Sequence, residues 1–116
     1  MFSLGSAQNY FLYRNACDMR KSFDGLCGII INELKKNPLD GSVFVFLNRN
    51  RNQAKILFWN RDGLVIFHKR LEQGSFSYPK ECQTHSPISW PELVLLLEGI
   101  NYTTLKKKKR FTLKKQ

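Results

Sequence analysis

Apolar positions along the chain change their period twice. From Ser22, which reads as an N-cap, Leu26, Ile29, Ile30 and Leu34 recur at helical spacing. The pattern ends at Lys35, Lys36, Asn37 and Pro38, where cations meet the negative end of the helix dipole and proline forbids continuation. Short β-like runs follow, bounded by turn residues. Pro38-Leu39-Asp40-Gly41 is a turn, Val43 to Leu47 a strand, Asn48 to Gln53 a polar loop, Ala54 to Trp59 a second strand and Leu64 to Leu71 a third. The Asp62-Gly63 dipeptide is expected to supply the positive φ angles of a tight hairpin. The run Val43 to Leu47 is apolar on both faces, which places it centrally or between layers.

Helical spacing returns after a connector, Glu72 to Pro87, that contains Phe76 and Tyr78. Ser89-Trp90-Pro91-Glu92 combines capping-box spacing with proline in the first turn, and Ile88 and Leu93 stand where a hydrophobic staple would. This helix runs through Leu97 and stops at Gly99, with Ile100 placed to cover its end. The first 17 residues show no clear period and read as a lead-in with one short strand. The pattern predicts an α+β fold: a three-stranded antiparallel meander with one face packed against two helices, followed by a basic C-terminal tail. Residues 1–17 are expected as lead-in, 18–102 as one domain and 103–116 as tail. The expected core holds Leu26, Ile30, Leu34, Phe44, Phe46, Leu93, Leu96 and Leu97.

At 116 residues, with 42% hydrophobic content, the chain has material for one core and needs no staple. Cys17, Cys27 and Cys82 form an odd set with no CxxC pair and no signal-peptide pattern before them, so they read as reduced thiols in a cytoplasmic protein. Cys82 and His85 are spaced like half a metal site, but the remaining Cys and His lie in unrelated segments. No apolar run approaches the ~20 residues of a membrane span. The net charge of +10 is concentrated: Lys106, Lys107, Lys108, Lys109, Arg110, Lys114 and Lys115 supply seven of 19 basic residues, leaving 12 against nine acids. With Phe111 and Leu113 inside it, that tail reads as a nucleic-acid arm, a membrane-surface patch or a solubiliser.

No catalytic constellation stands out. The acids are scattered singly, whereas metal-assisted cleavage of nucleic acid needs clustered carboxylates. Gly25 and Gly28 are not part of a phosphate loop, and no cofactor or metal is implied. His68 lies beside Lys69 and Arg70, whose charge opposes its protonation. What remains is basic with aromatics interleaved. Asn48-Arg49-Asn50-Arg51-Asn52-Gln53 offers two guanidiniums and four amides at a hairpin tip, the groups that contact phosphates and base edges. Lys55, Arg61, Lys69 and Arg70 come from the same meander, with Trp59. Alternation puts Lys55, Leu57 and Trp59 on one face of their strand without saying which face meets solvent.

Several segments occur together in one order: Asp18-Met19-Arg20-Lys21-Ser22-Phe23-Asp24-Gly25-Leu26, Asn37-Pro38-Leu39-Asp40-Gly41, Phe44-Val45-Phe46-Leu47-Asn48-Arg49, Lys55-Ile56-Leu57-Phe58-Trp59, Lys69-Arg70-Leu71-Glu72-Gln73-Gly74 and Leu95-Leu96-Leu97-Glu98-Gly99-Ile100. In these the chain resembles the TnpB (second open reading frame) accessory proteins of insertion sequences of the IS-sixty-six type, which are unrelated to the RNA-guided nucleases of the same name. The resemblance implies a bacterial mobile-element protein that works beside a separate transposase and has no accepted catalytic activity. Its implied partners are DNA at insertion-sequence ends and the cognate transposase. Asn48-Arg49 and Lys69-Arg70-Leu71-Glu72 match the family pattern, whereas Asn50, Asn60 and Ser75 depart from it. The expected DNA-contacting set is Arg49, Arg51, Lys55, Arg61, Lys69 and Arg70, with Lys106, Lys107, Lys108, Lys109 and Arg110 of the tail. Two rival readings are an adaptor that touches only transposase, through the Trp90 to Glu98 helix, and a metal-dependent nuclease subunit.

Overall fold

The computed structural model describes residue 5 and residues 7–77 and 87–98. The Val43 to Leu47 run decides the architecture. As strand β2 (Val43–Leu47) it is buried at every position, so each of its faces needs its own cover. One face joins Phe44 and Phe46 with Leu57 and with Leu26, Ile29, Ile30 and Leu34 of helix α1 (Phe23–Asn32) and the residues after it. The other joins Val43, Val45 and Leu47 with Ala54, Ile56 and Phe58 and with Leu93 and Leu96 of helix α2 (Trp90–Glu98). The helices therefore lie on opposite faces of the sheet. The expectation that both helices cover one face is corrected by these two separate cores.

The three-stranded antiparallel meander is corrected as well: the sheet has five strands and is mixed. β3 (Gln53–Asn60) and β4 (Gly63–Arg70) pair antiparallel as the hairpin pattern predicts. Beyond β2, however, β1 (Tyr10–Tyr13) pairs parallel to it in the register Tyr10 to Val43, and β5 (Pro87–Ile88) closes the sheet antiparallel to β1. The strand order is β4-β3-β2-β1-β5. β1, α1 and β2 thus form a β-α-β crossover, because parallel neighbours cannot be joined by a tight turn.

Local signals were met unevenly. The capping box of α2 is present, with Ser89 N–H donating to Glu92 Oε1 at 2.8 Å and Glu92 N–H to Ser89 Oγ at 3.2 Å. Ile88 and Leu93 share one buried cluster, as a staple requires. Ser22 makes no side-chain cap to α1. The two lysines expected in the last turn of α1 fall beyond it, with Lys35 in the left-handed region at φ 56° and Lys36 N–H donating to Ile30 O. At the β3–β4 turn the positive φ sits on Arg61 (59°) and not on the Asp62-Gly63 pair, because Gly63 is already paired with Asn60 in the ladder. Of the expected core, only Leu97 is merely half-buried, and Phe76, assigned to the connector, is fully buried.

Candidate nucleic-acid interface

Strand directions sort the loops onto two ends of the sheet. β1 and β2 are parallel, so the chain leaving β1 toward α1 and the loop leaving β2 toward β3 lie at the same end. A hydrogen bond from Cys17 N–H to Leu47 O, 2.8 Å, ties them together. This end carries Arg20 and Lys21 at the entry to α1, and Arg49 and Arg51 in the Asn48–Gln53 loop. Arg70 joins them, because its partner in the β3–β4 register is Gln53. The last turn of α2 comes here too: Lys69 Nζ donates to Leu97 O at 2.7 Å. The basic tail follows Glu98 in the sequence, so the described chain ends beside the arginine loop.

The loop itself is firmly built. Asn48 Oδ1 accepts from the backbone N–H groups of Asn52 and Gln53, each at 3.0 Å, and Asn48 Nδ2 donates to Asn52 Oδ1 at 2.7 Å. Arg51 adopts φ 55°, its N–H donating to Asn48 O and its own carbonyl accepting from Phe76 N–H at 2.6 Å. Leu71 N–H closes the other side on Asn52 O. Two of the four loop amides therefore serve the loop and not a ligand. Gln53 Oε1 is also engaged, 2.8 Å from His68 Nε2. Arg49, Asn50 and Arg51 are left exposed at the tip.

The sequence-derived basic set does not stay together. Lys55 is buried under the start of α1, with its ammonium donating to Lys21 O at 2.6 Å. Lys69 faces α2, and Arg61 lies at the opposite end of β3, about 27 Å away at ~3.4 Å per residue. Trp59 is half-buried. His68 lies on the α1 face opposite Lys55, and its imidazole is held below its ordinary pKa by burial first and then by the charges of Lys55 and Arg70. Lys69, its neighbour in sequence, points to the other face. The tail residues Lys106 to Arg110, and Cys82 and His85, lie outside the described residues.

Three carboxylates among the described residues temper the charge of this end, one of them Asp24 in the first turn of α1. Asp18 binds Arg20 through both oxygens, with a closest contact of 2.7 Å, and the guanidinium hydrogen bonds hold its carboxyl down at about 2. Glu72 meets Arg70 at 3.4 Å. Among the described residues no three His, Cys, Asp or Glu side chains group as metal ligands. Cys17 and Cys27 have thiol pKa values raised chiefly by burial, which makes both poor nucleophiles. No helix among the described residues is long and apolar enough to cross a membrane.

The family model described as IS66 Orf2 like protein matches residues 8–107. The chain belongs to this family. It is an accessory family of insertion sequences, associated with the IS66 transposition machinery, and not a catalytic one. Two relatives from Sinorhizobium fredii (strain NBRC 101917 / NGR234) are also similar. Uncharacterized protein y4hO is 38% identical over 85 residues, covering 73% of this chain and 74% of the relative. Uncharacterized protein y4jC is 29% identical over 91 residues, 78% of each. No solved structure matches.

In this Orf2-like chain, sequence reasoning missed Arg20 and Lys21 as members of the basic end. The usable signal was the order strand, helix, strand from Tyr10 to Leu47, which makes a parallel crossover and brings the entry of the helix beside the exit of the second strand.

Proposed function

We propose that this Orf2-like protein is a noncatalytic DNA-binding accessory factor that engages insertion-sequence ends for a separate transposase, using the end of the sheet that carries the Asn48–Gln53 loop. The observation that carries this reading is convergence: Arg49 and Arg51 on a braced tip, Arg20, Lys21 and Arg70 around it, and the end of α2, from which the lysine-rich segment continues. Guanidinium groups suit bidentate contact with phosphate or guanine, and a tip already fixed by its own hydrogen bonds gives up little conformational entropy on binding. Lys55 takes no part because its ammonium is buried on a backbone carbonyl.

Salt dependence tests the reading. Replacing Arg49→Ala and Arg51→Ala together should weaken binding to element-end duplex and lower the slope of log affinity against log salt by about 0.9 for each phosphate that the loop no longer neutralises. Identical slopes and affinities would remove the loop from the DNA surface. The adaptor reading is favoured by one observation, the 53% exposure of Leu95 on α2. It predicts that the double variant keeps full DNA behaviour and that Leu95→Asp abolishes transposase co-purification.

A further inference from the structure

The two edges of the sheet are finished differently. β5 is two residues long and begins with proline, a short edge that offers little to another strand. β4 is eight residues long, contains no proline and, among the described residues, pairs on one side only, with β3. Its first half, Leu64-Val65-Ile66-Phe67, has the β-branched and aromatic content of an interior strand. Phe67 is 42% exposed, although its ring lies 6.1 Å from that of Phe58 on the inner side.

We propose that the outer edge of β4 pairs antiparallel with β4 of a second copy of this chain, joining two sheets into one. Directly opposed residues of an antiparallel pair share a face. A two-fold axis through the sheet must therefore pass through a β4 residue, and the strand centre offers Ile66 or Phe67. Charge decides between them. A two-fold at Phe67 sets Asp62 against Glu72 of the partner subunit, a like-charge pair. A two-fold at Ile66 sets Asp62 against Arg70 of the partner subunit, Val65 against Phe67 of the partner subunit and Leu64 against His68 of the partner subunit. No two cations of the His68-Lys69-Arg70 run then oppose each other, and both exposed phenylalanines gain an apolar neighbour. The Arg70–Glu72 pair within one chain does not compete strongly, since its side chains are 67% and 55% exposed and 3.4 Å apart.

An eight-residue edge falls short of the ~800 Å² per partner of a standard interface, so association is expected at micromolar concentration or weaker. Sedimentation velocity from about 1 µM to about 1 mM reads it directly. The wild-type chain should shift from monomer to dimer across that range, with amide-exchange protection along β4 rising in step. Asp62→Arg and Arg70→Asp should each weaken dimerisation at least about tenfold, and the chain carrying both should recover, because the exchanged charges again meet across the two-fold. Phe67→Lys should weaken it as well, and circular dichroism should show every variant folded, since all three positions are exposed. A wild-type monomer at every concentration overturns the proposal. So does a double variant no better than the singles, or a dimer that persists in all variants, which would mean that another surface, or the lysine-rich tail, joins the two copies.

Discussion

The two ends of the sheet are built from the same strands and differ in almost everything else. At one end the β2–β3 loop is held by three side-chain hydrogen bonds of Asn48, a clamp from Phe76 and a tie to the start of α1. At the other, β3 returns to β4 through Arg61 and Asp62 alone, with Asp62 N–H donating to Asn60 O at 2.6 Å. The braced end gathers Arg20, Lys21, Arg49, Arg51 and Arg70 with Asp18, Asp24 and Glu72, whereas the tight end carries Lys35, Lys36 and Arg61 beside Asp40 and Asp62. A turn needs no six-residue loop to reverse a chain. The extra residues and polar bracing at the first end therefore mark it as the one built to present side chains.

The largest effect should come from reversing equal charge at each end. Arg49→Glu with Arg51→Glu and Lys35→Glu with Arg61→Glu change net charge identically, so long-range attraction falls alike in both. Only the first pair should give up direct bonds to phosphate, and its DNA affinity at moderate salt should drop about 100-fold, against about threefold for the second. Gel shift at fixed salt checks this, and equal losses would reduce the interface to overall charge.

Next in size is the bracing. Asn48→Ala leaves the backbone N–H groups of Asn52 and Gln53 without their acceptor in a part-buried loop, and should cost about 1–3 kcal/mol in urea unfolding. Asn60→Ala at the tight end should stay within about 0.5 kcal/mol. Equal costs would show that the loop is not held by its asparagines.

These contrasts also indicate what the chain reveals before it is folded. Both-faced apolarity of Val43 to Leu47 announces a strand between layers, and the Ser89–Glu92 spacing announces the cap that forms. The β3–β4 pairing follows from a short connection. Tyr10–Tyr13 is the one short strand expected in the lead-in, but four mostly buried aromatic and aliphatic residues show no alternation from which its place in the sheet could be read, and Pro87–Ile88 hides because two residues carry no period. Leaving this first strand outside the sheet hides the crossover, and with it the place of Arg20 and Lys21. Lys55 shows the same limit at one residue: alternation groups it with Leu57 and Trp59, but only the position of α1 reveals that this face is covered.

A smaller effect concerns backbone strain, which both ends share. Arg51 and Arg61 hold φ 55° and 59°, where a non-glycine residue loses about 1–2 kcal/mol and glycine gives back about 0.5–1 kcal/mol through chain entropy. Arg61→Gly and Arg51→Gly should therefore each raise stability by up to about 1 kcal/mol in thermal melts. Only Arg51→Gly should lose DNA affinity. A loss with Arg61→Gly would extend the interface to the tight end.

The smallest effect is a proton at the edge of the basic end. Burial, Lys55 and Arg70 depress the pKa of His68 in the free protein, so as pH falls the unfolded chain takes up its proton first. The stability linked to this histidine is then present above the ordinary value of 6.5 and is lost as pH falls through the depressed folded value. DNA phosphates drawn to Arg70 would offset the cations and raise the His68 pKa, so binding should strengthen as pH drops below 6.5, by at most one added phosphate interaction. Proton titration by NMR should give an imidazole pKa under 6.5 in the free chain and a higher one on DNA. His68→Gln should flatten the pH dependence of both stability and binding. If the pKa is unchanged on DNA, phosphate does not come near the Gln53 side of the loop, and the interface is confined to the Arg49–Arg51 tip and the α1 entry.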